Sequence, residues 1–202
     1  MGLFGRLFGN RAPELPPADL SLVGVDMHSH FIPGIDDGSP DLDTTMELLQ
    51  AMADLGYRKV ITTPHSMADG YRNPTDKILA GLEQVRAEAA RRGIAIEVEA
   101  SAEYYLDHEL EEKVKRKDIL TFGDRLLLFE LSFIGEPHVL NSVVFEMQTQ
   151  GYRPVLAHPE RYTFWAGQLD KYEALKDRSV LFQVNIPSLS GRYGPGVQKT
   201  AE

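Results

Sequence analysis

Cysteine is absent from all 202 residues. Its absence excludes disulfides, thiolate metal sites and a cysteine nucleophile, and it suits a reducing, cytoplasmic compartment. Long apolar runs are missing too. None approaches the ~20 residues that cross a bilayer, so no integral membrane segment is expected. Basic charge is scarce, with 21 Lys and Arg against 30 Asp and Glu and a formal net charge of −9. A non-specific nucleic-acid binder carries the opposite balance, which argues against that class of partner. What remains is 43% hydrophobic and 25% charged, the composition of a packed domain.

Residues 1–20 stand apart as an N-terminal extension, and residues 21–202 form the domain proper. MGLFGRLFG places Leu3, Phe4, Leu7 and Phe8 at helical spacing, and three prolines follow. Arg6 interrupts the run, unlike a secretory signal, and stands where a myristoylation signal needs Ser or Thr. The segment reads as docked on its own domain, with a membrane-surface or partner helix as the alternative.

From Leu22 a two-beat pattern repeats. Six β-rich runs cover 22–27, 59–63, 94–100, 126–131, 154–158 and 180–185, mostly apolar on consecutive positions, as in strands covered on both faces. Between most of them lie helical periodicities. Ser39-Pro40 opens one that Gly56 closes, Asn73-Pro74 opens the next as far as Gly93, and a third runs from about Pro137 to Gly151. Alternating strands and helices indicate βα units and a parallel sheet.

Polar residues collect at the strand ends. His28 and His30 end the first, His65 the second, Glu103 lies just beyond the third, Glu130 ends the fourth, His158 the fifth, and Gln183 and Asn185 the sixth. Several strands feeding one mouth favours a barrel over an open sheet, which gathers its ligand at one crevice. Four of the six histidines are in this set. In His28-Ser29-His30 the two imidazoles sit at i and i+2, on one face of a strand, and can share a cation. Asp37, in the glycine-flanked loop PGIDDG, can fold back over the mouth, whereas Asp36 reads as a turn residue. Arg161, three residues past His158, can bind two phosphate oxygens at once.

Each assignment has a blander counterpart. HxH arises in turns, Glu103 and Glu130 can be salt-bridged acids, and Arg161 can pair with Glu160 at the surface. His108 and His138 read as surface residues. A carboxylate ending an apolar run such as LLLFE is costly to bury without a cation, which favours metal binding. Nitrogen and oxygen ligands without sulfur suit zinc, manganese or iron. Such a cation cluster activates water, clamps a phosphoryl group and reverses the field of an acidic protein.

DMHSHFIPGIDDGS, ITTPH, SAEYY, LLFEL, AHPERY and FQVN–SLSGRYG, in this order and spacing, resemble the bacterial manganese-dependent protein-tyrosine phosphatases of the polymerase-and-histidinol-phosphatase (PHP) superfamily. These act in capsule and exopolysaccharide regulation. The resemblance runs from about Leu22 to the C-terminus. It implies an α/β fold, a distorted (β/α)7 TIM-like PHP barrel, holding up to three Mn2+ ions, with Zn2+ or iron as alternatives. One metal would take His28, His30 and Glu103; a second Glu103, Glu130 and His158; a third Asp37 and His65. Arg161 would bind phosphate, acting with Asp37 and His65 in catalysis.

The family pattern continues into a seventh strand ending in Asp-x-His, which supplies one ligand each to the first and third metals. Here GVQKTAE ends the sequence, so about six strands and a C-terminally truncated chain are expected. The implied substrate is the tyrosine-rich tail of a bacterial polysaccharide-biosynthesis tyrosine kinase, which would bring the enzyme close to the membrane; an oligomer is compatible with the sequence. Two readings stand beside it: another PHP phosphoesterase, such as a histidinol-phosphate phosphatase, or an inactive truncated remnant that binds the kinase tail.

Overall fold

The computed structural model describes residues 19–202, so the amphipathic stretch within residues 1–18 lies outside the described residues. The strands are β1 (Val25–Ser29), β2 (Lys59–Thr62), β3 (His65–Ser66), β4 (Glu97–Ala100), β5 (Glu103–Tyr105), β6 (Leu126–Glu130), β7 (Arg153–Ala157) and β8 (Leu181–Gln183). They fall into two ladders, β1-β2-β4 and β3-β5-β6-β7-β8, in which every pairing is parallel.

The two ladders are one wall with a bend. Thr63-Pro64 separates β2 from β3, and Ser101-Ala102 separates β4 from β5. Hydrogen bonding continues across both breaks: Ser101 N–H donates to the Thr62 carbonyl at 2.9 Å and Glu103 N–H to the Pro64 carbonyl at 3.0 Å. Proline lacks the donor that an unbroken ladder needs, so the bend falls where the sequence puts it. Six strand positions result, as expected from the six β-rich runs, each beside its successor in the chain. That order has no switch point, which is the arrangement of a TIM-like barrel wall and not of a doubly wound sheet.

Helices α1 (Leu42–Asp54), α2 (Thr75–Arg92), α3 (His108–Arg116), α4 (Leu140–Thr149), α5 (Leu169–Asp177), α6 (Ile186–Leu189) and α7 (Pro195–Ala201) follow the strands. In α2 the buried Ile78, Leu82, Val85 and Ala89 recur every three or four residues, and Gly93 closes the helix in the left-handed region at φ 71°. Asn73-Pro74 does open that helix. The start of α1 differs from the reading of Ser39-Pro40. The cap is Asp41, whose side chain accepts the Thr44 N–H at 2.8 Å. Ser39 instead bonds the Asp41 carbonyl and accepts from the Thr45 hydroxyl.

Alternation along the strands sorts the core into layers. In β6, Leu127 and Phe129 pack outward among Val143, Met147 and Leu110, while Leu128 faces an inner cluster with Ile61, Val155 and Ala157. Glu130 is two residues beyond Leu128, so the inward face of β6 ends in a carboxylate. The inner cluster is apolar below. Its upper end is where the chemistry collects.

Candidate metal centre

The strand ends open into a cavity of about 360 Å³ lined by His28, His30, His65, Glu103, Glu130 and His158, with Asp37, Phe133, Arg161 and Asn185 at its margins. Every residue predicted for the site borders this one space. His28 reaches it through an irregularity: the β1–β2 register slips between Asp26 and Ser29. Met27 packs on the inner cluster, yet the adjacent His28 also enters the cavity. Strict alternation would separate the two, and a bulge is what re-aims a side chain in this way.

Glu103 is the hub. It is 1% exposed, and four imidazoles approach it. His28 Nε2 lies 3.1 Å, His30 Nε2 3.4 Å and His65 Nδ1 3.3 Å from Oε2, while His158 Nε2 lies 2.8 Å from Oε1. Burial pushes the carboxyl up, but hydrogen bonds from His158, His28 and His30 outweigh it and hold Glu103 well below the usual range. It therefore stays anionic. Glu130, 3% exposed, lies 2.9 Å from His65 Nδ1 and 3.9 Å from His158 Nε2.

The rings are aimed from behind. His28 Nδ1 is 2.7 Å from Gln183 Oε1, and His30 Nδ1 is 2.7 Å from Asp36 Oδ2. An acceptor at Nδ1 keeps a proton there and aims Nε2 at Glu103, so that Nε2 is the atom free to take a cation once its own proton leaves, as in metal-bound histidines. Gln183 Oε1 also accepts the His158 N–H at 3.2 Å, and its amide donates to Asn185 Oδ1 at 2.9 Å. His158 holds φ 33°, a left-handed conformation that costs a non-glycine residue about 1–3 kcal/mol and is concentrated at functional sites.

Asp36 is thus more than the turn residue its position in IDDG suggests. It does accept the Gly38 N–H at 3.0 Å, but it also takes the His65 N–H at 3.0 Å and locks His30. Burial alone would lower the pKa of His30; the hydrogen bonds and charges of Asp36 and Glu103 instead raise it to about 10. For His65, burial again lowers and the Glu130 and Glu103 carboxylates raise, with a net rise. The pairing of Arg161 with Glu160 does not form. Glu160 is buried and accepts from Asn185 N–H and the Ser188 hydroxyl. Arg161 lies instead between the rings of Phe133 and Tyr193, 5.0 and 4.9 Å from their centroids. Tyr71, stacked on His65 at 5.5 Å, carried no signal in the sequence.

These residues fit divalent cations. Two ligands bonded at ~2.1 Å to one ion stand about 3.0–3.4 Å apart, the spacing found around Glu103. Among the described residues His65 Nδ1 and His158 Nδ1 are buried without a hydrogen-bond partner, although Glu130 stands close to the former. Three sets bring their donor atoms within 4.8 Å of one another: His28, His30 and Glu103; His30, Asp37 and His65; and His65, Glu103 and Glu130. The first is the set expected. The second adds His30 to the Asp37–His65 pair, and the third brings His65 to the two glutamates that were expected to share His158.

The family model for capsular polysaccharide synthesis, CpsB/CapC, matches residues 24–202. The tyrosine-protein phosphatase YwqE of Bacillus subtilis is 27% identical over 171 residues, 84% of this chain and 67% of that one. The tyrosine-protein phosphatase CpsB of Streptococcus pneumoniae is 28% identical over 162 residues, 80% of this chain and 67% of its own. A solved structure from work on these two proteins, described as unique metal-dependent tyrosine phosphatases, matches with a TM-score of 0.81 and 26% identity. That match covers 87% of this chain and 71% of the other.

Proposed function

Because the chain belongs to the CpsB/CapC family of capsular polysaccharide synthesis, we propose that it is a metal-dependent protein-tyrosine phosphatase whose reaction takes place around Glu103. Its likeness to YwqE and CpsB supports the activity. The observation that carries the reading is the convergence of four imidazoles on one buried carboxylate, in a cavity that Arg161 also reaches.

We assign one cation to His28, His30 and Glu103, a second to Glu103, Glu130 and His158 with His65 beside them, and a third to Asp37 and His65. Manganese is the metal of this reading; zinc and iron share its preference for these donors. Bound cations acidify water at neutral pH and neutralise phosphoryl oxygens. The protein's own groups do the rest. Arg161 grips two phosphoryl oxygens and follows their charge into the transition state. Asp36 and Gln183 keep the His30 and His28 rings oriented. The Asp37 carboxylate, with Oδ1 3.5 Å from His65 Nε2, flanks the site on its solvent side. A tyrosinate leaving group, with a pKa of about 10, needs little general-acid help.

The substrate of this reading is the tyrosine-rich tail of a polysaccharide-biosynthesis kinase, which would draw the enzyme to the membrane. No helix among the described residues is long and apolar enough to cross one. The test is turnover of a phosphotyrosine peptide by the manganese-loaded protein, beside histidinol phosphate and a chelated control. Arg161→Ala is expected to lower kcat/KM at least ~100-fold with metal content unchanged. Unchanged turnover removes Arg161 from the mechanism. Faster hydrolysis of histidinol phosphate would assign the other phosphoesterase class, and peptide binding without metal uptake would favour a binding remnant.

A further inference from the structure

Among the described residues Phe133 is the one apolar side chain that lines the cavity; its neighbours there are imidazoles, carboxylates, an amide, a guanidinium and the small Gly38. It follows β6 in the segment 132–137, which has no regular secondary structure. Its ring stacks on His158 at 5.7 Å and 17°, lies 5.5 Å from Tyr162, and supports the Arg161 guanidinium at 5.0 Å. Even so it remains 47% exposed. Tyr193, 41% exposed, also packs on Arg161, its ring centroid 4.9 Å from the guanidinium carbon. Phosphate and its cations have no use for a hydrocarbon surface. The part of the substrate that does is the group the phosphate is attached to.

We propose that Phe133 is the wall against which the aryl ring of the substrate packs, and that Tyr193 is a positioning residue that acts through Arg161. The proposal rests on the phosphotyrosine reading and adds where its preference for aromatic over alkyl esters resides. With the phosphoryl group held at Arg161, the next atoms of the ester meet the Phe133 ring within the same cavity. A planar aryl group stacks there, whereas a seryl methylene leaves most of the ring wet. Aromatic pairs gain a few-fold to ~10-fold in affinity beyond the area they bury.

Metal-loaded Phe133→Ala, Phe133→Tyr and Tyr193→Ala answer the question with two readouts. Binding of phenylphosphonate and methylphosphonate by competition needs no turnover, so it stands even where the phosphatase reading fails. Phe133→Ala is expected to weaken phenylphosphonate roughly 10-fold while methylphosphonate shifts little, and Phe133→Tyr to restore the difference. Tyr193→Ala is expected to weaken both phosphonates alike. In turnover, the phosphotyrosine-to-phosphoserine ratio of kcat/KM should fall in Phe133→Ala, chiefly through KM. Metal content checks that His158 is undisturbed. Equal loss for both phosphonates in Phe133→Ala, or no loss for either, overturns the proposal. A wild-type protein that discriminates the phosphonates but turns over no phosphotyrosine refutes the earlier reading and leaves this one standing.

Discussion

At the scale of single residues, the centre is decided by what stands behind each ligand. His30 would serve a cation poorly if its ring could rotate or if the proton it retains on metal entry sat on Nε2. Asp36 prevents both through Nδ1, and the same carboxylate fixes the backbone of His65. Asp36→Asn keeps the shape and removes the charge. It is expected to weaken metal binding about 10–100-fold, as loss of such partners does elsewhere, while circular dichroism remains that of the parent. Competition against a chelator measures it, and unchanged affinity would make Asp36 a turn residue after all. In the sequence Asp37 reads as the acid over the mouth and Asp36 as a turn residue, with no local feature to show that Asp36 supports His30. Orientation ranks them: Asp36 is turned in, and the Asp37 side chain is 65% exposed at the mouth.

At the scale of elements, the helices matter through how closely they approach the loop that carries the ligands. Gly81 lies within α2, where glycine costs about 1 kcal/mol relative to alanine. A Cβ there would stand 2.3 Å from Ile32 Cγ2, and Ile32 is buried two residues beyond His30. Gly81→Ala is therefore expected to destabilise the protein by about 1 kcal/mol net, since overpacking costs of 1–3 kcal/mol exceed the gain in propensity. Urea unfolding decides it, and stabilisation would show that Ile32 can move aside. The periodicity of α2 and its closing glycine were legible because both are local. Short α3 and α5 were not. α3 buries only Leu110 and Val114 and is started by the Asp107 side chain, which accepts from Glu109 and Leu110 N–H. One turn of apolar spacing is too little for periodicity to register.

At the scale of the whole molecule, cations should act as a clasp. Their proposed ligands come from β1, β3, β5, β6 and the turn after β7, so an ion at Glu103 would tie together strands far apart in the chain. A ligand at 100 times its Kd contributes about 2.7 kcal/mol to stability, which for a chain of this size raises Tm by about 5–10 °C. Manganese is expected to produce that rise and a chelator to reverse it, read by thermal unfolding. In the metal-free protein His30 keeps its proton up to about pH 10. Cation entry displaces that proton, so affinity and the Tm gain should both grow between pH 7 and 9. A Tm indifferent to metal would remove the clasp.

Much of this was written in the linear chain. Ligand types, their position at strand ends, the six strand positions and the pairing of His28 with His30 follow from residue chemistry and from the period of a strand, which are local properties. Tertiary structure decided the rest, because it depends on distances between segments remote in sequence. It made Glu103 the hub, placed His65 beside Glu130, chose Asp36 as the support for His30, and took Arg161 away from Glu160 into the space between Phe133 and Tyr193. Spacing along a polypeptide names candidates; only the packing of the strands side by side determines which of them touch.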